Sequence, residues 1–173
     1  PYIAQIFYNE VLRGTLNTKT SGSSGSLIFN INIPGITAED ISTALAGHAA
    51  EGTKKVTVNF ASGMEFNMEG TITIPTGIQD ISFVGSENAN GKLSQLNKVY
   101  FAIESEVNDV NFEYLSMNSD GGFMFQVGAQ KFHDITFEGC EVKQVNSAVR
   151  LHSGAEGNSV NFNNCWVSNT GGW

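Results

Sequence analysis

The sequence predicts an all-β chain wound as a right-handed parallel β-helix of about five coils of ~25 residues, with a capping α-helix at its N-terminal end. Three observations carry this. A strand motif ending in phenylalanine recurs as Asp80-Ile81-Ser82-Phe83, Asp109-Val110-Asn111-Phe112, Asp134-Ile135-Thr136-Phe137 and Ser159-Val160-Asn161-Phe162, with spacings of 29, 25 and 25 residues. A second strand recurs between the copies, as Val99-Tyr100-Phe101-Ala102-Ile103, Phe123-Met124-Phe125-Gln126-Val127 and Val149-Arg150-Leu151-His152. The polar residues are neutral rather than ionic: charged residues make up 15% of the chain, while 19 Gly and 18 Asn provide for many tight turns.

Residues 1–35 read as an N-terminal β segment, either a hairpin or the tail of a preceding domain. Tyr2–Tyr8 and Leu27–Ile33 are strand-like, the second with Leu27, Phe29, Ile31 and Ile33 on one face. The Ser/Thr/Gly-rich stretch 18–26 between them reads as a flexible loop. The β-helix is expected over 36–173. Its cap is a helix over 37–51, opened by Thr37 and Asp40, which form a capping box, with Ile36 stapled onto Ile41. Ile41, Leu45, His48 and Ala49 share a face and Gly52 supplies the stop, so His48 reads as a packed group rather than a catalytic one.

From Val56 the pattern switches to period two, through Val56, Val58 and Phe60 and then Ile72 and Ile74. Stacking equivalent residues predicts inward ladders of Ile81, Val110, Ile135 and Val160, and of Phe83, Phe112, Phe137 and Phe162. The longer 29-residue coil carries a turn insertion around residues 86–91. Leucine-rich repeats share the period but need a Leu-x-x-Leu-x-Leu signature, which is absent. The chain starts at Pro1 and stops at Trp173 just after a strand, as an excised piece would. The β-helix is therefore expected to be truncated, with further chain or another subunit covering its last coil.

Nine Lys+Arg against 17 Asp+Glu give a net charge of −8, which excludes nucleic acid and anionic membrane surfaces as partners. An anionic polysaccharide fits only if a bound cation or a local basic patch reverses the field. No apolar run is long enough to span a bilayer. Cys140 and Cys165 are too few for a disulfide scaffold and lack metal-ligand spacing. Stacked with Leu115, they read as buried free thiols.

The helix, the strand Val56–Phe60, the turn at Gly63, then Gly70-Thr71-Ile72-Thr73-Ile74-Pro75 and Ile81-Ser82-Phe83-Val84-Gly85, resemble the cap and first coils of the pectate-lyase-like right-handed parallel β-helix superfamily. The repeats Phe137-Glu138-Gly139-Cys140 and Phe162-Asn163-Asn164-Cys165 resemble uncharacterised β-helix proteins of gut Bacteroidetes. The resemblance covers roughly residues 36–173. It implies a secreted or surface-attached bacterial protein that engages polysaccharide along its outer strands, lyase-like or as a non-catalytic binder. Lyases of the superfamily use Lys or Arg as base and carboxylate-bound calcium; no contiguous motif for either stands in this sequence.

Candidate chemistry falls on the second repeated strand. With Phe123, Phe125, Val149 and Leu151 inward, Met124, Gln126, Arg150 and His152 face out, beside Tyr100 and Glu104 of the preceding coil. Tyr100, Met124 and Arg150 then share one exposed row, and Gln126 and His152 another. Arg150 is a candidate to pair with a carboxylate or sugar hydroxyl and His152 a candidate base, so both are candidate catalytic residues. Tyr100, Glu104, Gln126 and Trp166 are candidate substrate-binding residues, Trp166 as a stacking platform. An ordinary solvated strand face carries the same residue types, and both readings stay open. Asp80, Asp109 and Asp134 recur at one coil position, where they either hold calcium or, more commonly for Asp, accept backbone N–H bonds in a turn; His133 reads as part of the same turn. Calcium is the one cofactor the sequence leaves open. The second function class is a structural or adhesive solenoid that meets protein partners through its open end or edges.

Overall fold

The computed structural model describes residues 2–8, 11–21 and 26–168, with side chains from Ser26 to Ser168. Tyr2–Tyr8 (β1) and Val11–Ser21 (β2) form an antiparallel hairpin, and β2 pairs antiparallel with Ser26–Ile31 (β3). Residues 18–21, expected in a loop, are therefore strand. Thr18 and Thr20 are β-branched and favour extended backbone, and β3 offers them an edge to pair with. The remainder of that expected loop up to Gly25 lies outside the described residues.

Ala38–Ala50 (α1) begins at Thr37, whose hydroxyl accepts from Asp40 N (3.2 Å) while Thr37 N donates to the Asp40 carboxylate (2.9 Å). This is the capping box read from the sequence. Ile41 and Leu45 are buried, and His48 packs edge-on against Phe29 with its Nδ1 3.0 Å from Glu51. The Ser42 hydroxyl accepts from Thr73 N (2.9 Å), tying the helix to the strand beneath it.

The chain then winds through Lys55–Phe60 (β4), Glu65–Ile74 (β5), Asp80–Val84 (β6), Ser94–Ile103 (β7), Val107–Glu113 (β8), Leu115–Asn118 (β9), Phe123–Val127 (β10), Lys131–Glu138 (β11), Glu141–Lys143 (β12), Ser147–Leu151 (β13), Glu156–Asn163 (β14) and Trp166–Ser168 (β15). The architecture is a right-handed parallel β-solenoid of about six turns with one N-terminal helix. One sheet stacks β3, β4, β6, β8, β11 and β14 in parallel. The sixth turn comes from β3, whose Leu27 and Phe29 stand in register with Val56 and Val58.

The predicted ladders run through this sheet. Ile81, Val110, Ile135 and Val160 are register partners, as are Phe83, Phe112, Phe137 and Phe162. The last four stack ring on ring at centroid spacings of 5.4, 4.7 and 4.6 Å. The second sheet has two limbs, because β7 is long enough to pair β9 through Ser94–Leu96 and β10 through Phe101 and Ala102. One limb continues to β12 and β15, the other to β13.

The bend between the sheets is made by one residue per coil in left-handed conformation: Tyr114 (φ 52°), Gly139 (φ 60°) and Asn164 (φ 53°). The turn insertion in the long coil closes on Asn88, whose side-chain oxygen accepts from Asn90 N and Lys92 N. Cys140 and Cys165 are both free thiols at equivalent positions, each reaching a backbone carbonyl of the strand before. In the last coil of the described residues Leu151 is 50% exposed and Phe162 43%. Among the described residues no helix is long and apolar enough to cross a membrane.

Candidate functional site

The outer face of the β5–β7–β10–β13 limb carries most of the residues singled out in the sequence, but in a different register. Phe101, Phe125 and Val149 are partners, and so are Ala102, Gln126 and Arg150. Arg150 therefore shares a row with Gln126 rather than with Tyr100 and Met124. The sequence reading misaligned the row by two residues, because β13 begins at Ser147 and not at Val149.

Met124, expected outside, is fully buried next to the equally buried Phe125, whereas Phe123 is only half-buried. Two consecutive buried residues break the strict in-and-out alternation of the strand here. The half-buried Phe123 ring instead receives Arg150, whose guanidinium carbon lies 4.3 Å from the ring centroid. This cation–π contact places the guanidinium over the start of β10, while His152 follows the end of β13.

Tyr100 is half-buried and its hydroxyl donates to Ser119 O at 2.9 Å. Its ring closes over Gly122, where a β-carbon would stand 2.5 Å from Cε1. It holds the turn before β10. Exposed Glu104 accepts from Thr76 N at 3.2 Å and so fastens two neighbouring turns. Trp166 is 66% exposed and is in register with Glu141 and Ser116, on the β9–β12–β15 limb. The structure thus brings Gln126 and His152 together and leaves Trp166 on a separate limb.

Gln126 and His152 meet at 3.4 Å between Oε1 and Nε2. Both line a shallow concavity of about 410 Å³, together with Thr71, Ala102, Gly128 and Gln130. Gln130 was not singled out in the sequence. Its side-chain oxygen is buried and has no hydrogen-bond partner among the described residues. Gly128 makes room for it, since a β-carbon there would lie 2.7 Å from that oxygen. The signal available in the sequence was that glycine, two residues before a glutamine at a strand end. Among the described residues no Lys or Arg lines the concavity, and His152 is its one titratable group.

The recurring aspartates have side-chain partners where turn N–H groups were expected. Asp80 pairs with Lys55 Nζ at 2.8 Å, and Asp134 accepts from Ser159 Oγ (2.6 Å) and Asn158 Nδ2 (3.1 Å). Those two donors, Ser159 first, hold the Asp134 carboxyl below the usual range. The acceptor sites face outward, where side chains of the adjacent coil reach them before the backbone does.

No family model, no curated protein and no solved structure matches the chain. The structure supports a parallel β-solenoid fold and no finer family assignment.

Proposed function

We propose that this β-solenoid binds polysaccharide along the outer face of the β5–β7–β10–β13 limb, with Gln126, Gln130 and His152 as the contacts to sugar hydroxyls. The observation that carries the reading is the Gln126–His152 pair, two polar side chains 3.4 Å apart that line an exposed concavity. Gln130 lines the same concavity. Gln126 and His152 add donors and acceptors at hydrogen-bonding reach from the same side. Without Lys or Arg among the described lining residues, and with a net charge of −8, the face suits uncharged sugars better than uronates.

Binding fits the geometry better than lyase chemistry. A uronate lyase needs a cation beside its base, and Arg150 is engaged over Phe123 rather than in the concavity beside His152. A module of this kind works where polymeric glycans are, outside the cell or on a bacterial surface. In that reading the chain uses the outer strand face as a binding strip. A glycan array probed with the whole chain tests it: signal on neutral plant or microbial polysaccharides supports the reading, and a blank array sinks it.

A second reading, protein contacts through the end of the solenoid, is favoured by one observation. Leu151, Phe162 and Val167 lie around an apolar hollow of about 500 Å³ at the last coil. Concentration-dependent assembly in sedimentation, removed by Leu151→Asp, would support it; a monomer at every concentration would oppose it.

A further inference from the structure

On the opposite sheet, each coil enters its strand through a corner that turns two consecutive side chains outward. In β11, His133 and Asp134 face out between the buried Phe132 and Ile135; in β8, Asn108 and Asp109 do so between Val107 and Val110. The ladder steps over the first of each pair, since Phe132 partners Val107 and the next partners are Asp134 and Asp109. Two outward columns result. One is Asp80, Asp109, Asp134 and Ser159; the other, one residue earlier, is Gln79, Asn108, His133 and Asn158.

Three carboxylates thus follow one another at the strand spacing of about 4.8 Å. The outer two have partners, Lys55 on Asp80 and Ser159 with Asn158 on Asp134. Among the described residues Asp109, between them, has the imidazole as its partner: His133 Nδ1 lies 3.6 Å from Asp109 Oδ1 and 2.9 Å from Asp134 Oδ2. His133 is also the one imidazole in a column of amides.

We infer that Asp109, His133 and Asp134 form a surface site for a divalent transition metal of the Zn²⁺ class, bridging β8 and β11. The three donor atoms all lie within 4.8 Å of one another. A tetrahedral ion with bonds near 2.0–2.1 Å holds its ligands roughly 3.3 Å apart, and the 2.9 and 3.6 Å contacts to the imidazole bracket that spacing. One nitrogen with two carboxylate oxygens is a borderline donor set, suited to zinc and its neighbours; calcium takes six to eight oxygens. Asp109 and Asp134 are register partners, so the ladder holds their backbones at strand spacing, and His133 precedes Asp134 on the same strand. Water completes the coordination, because the imidazole is 64% exposed. The site is independent of the glycan-binding face and of its fate.

The test is calorimetric titration of the whole chain with ZnCl₂ in a non-chelating buffer, with CaCl₂ in parallel, on wild type, His133→Asn and Asp109→Asn. His133→Asn installs the residue that Asn108 and Asn158 already provide in the adjacent coils, so the fold is retained. Expected are saturable one-site Zn²⁺ binding by wild type, loss of that binding in both variants, and a thermal midpoint that Zn²⁺ raises only in wild type. No saturable Zn²⁺ binding by wild type, or binding that persists in either variant, overturns the assignment. So does calcium binding as tight as zinc.

Discussion

The ring of Tyr114 lies where a side chain on Gly139 would stand: a β-carbon at Gly139 would be 2.8 Å from both Cδ1 and Cε1 of Tyr114. The two residues make the same left-handed corner in successive coils, and each N–H continues the ladder, Tyr114 N to Glu138 O and Gly139 N to Asn163 O. Glycine adopts that corner without strain, whereas a side chain there costs roughly 1–2 kcal/mol. Gly139→Ala adds a clash to that strain and is expected to cost about 2–3 kcal/mol in urea unfolding. Tyr114→Ala removes the clash, so the double variant loses less than the sum of the singles. Strict additivity would show that the ring does not cover the glycine.

The stacked phenylalanines set a gradient of stability along the axis. Phe112 is fully buried between Phe83 and Phe137, while Phe162 stacks on Phe137 alone and is 43% exposed. Phe112→Ala is expected to cost about 3–5 kcal/mol. Phe162→Ala removes about half as much buried surface and is expected to cost roughly 1–2 kcal/mol. Urea midpoints compare them, and equal losses would contradict the placement of Phe162 at the uncovered coil.

The two thiols differ in reach. Cys140 is buried, which pushes its pKa up to about 12, and Cys165 is half-buried one coil further on. A disulfide-exchange reagent at pH 8 is therefore expected to modify Cys165 in the native protein and Cys140 only after unfolding. Two thiols reacting at the same fast rate would contradict the burial.

One surface pair gives a pH signature. Asn67 Nδ2 donates to Glu69 at 2.8 Å and Lys98 stands 3.5 Å away, and these hold the Glu69 carboxyl below its ordinary value, the amide first. A depressed carboxyl contributes stability above its ordinary pKa, and that contribution is lost as pH falls through the lowered one. Asn67→Ala is expected to move the Glu69 titration upward, read from the side-chain carboxyl carbon by NMR. An unchanged titration would place the cause elsewhere.

The solenoid was legible because its core is written as a repeat. Each Ile/Val-x-Phe pair stacks on the next, so the phenylalanine spacing alone aligned β6, β8, β11 and β14 correctly. Thr37 and Asp40 announced the helix by their own hydrogen-bonding chemistry. The turn count was one short because Leu27 and Phe29 precede the helix, and only tertiary pairing with β4 shows them to be a rung. The outer face was harder to read. Met124 was misplaced because strict alternation fails in β10, and Arg150 was put in the wrong row because β13 begins at Ser147, earlier than the pattern showed. Gln130 escaped notice because an unpartnered oxygen is a property of packing. His133 looked like a turn residue until the corner set it beside two carboxylates of different coils.

The glycan-binding face is tested most directly by affinity electrophoresis of the whole chain through gels containing xylan, mannan, mixed-linkage β-glucan or polygalacturonate, with Gln126→Ala and His152→Ala alongside. Gln126 and His152 lie on the outer face, so both variants are expected to stay folded, which unchanged urea midpoints would confirm. The account predicts retardation of wild type by at least one neutral polysaccharide, weaker or none by polygalacturonate, and restored mobility in both variants. Wild-type mobility unchanged in every gel, or retardation that both variants retain in full, would contradict it.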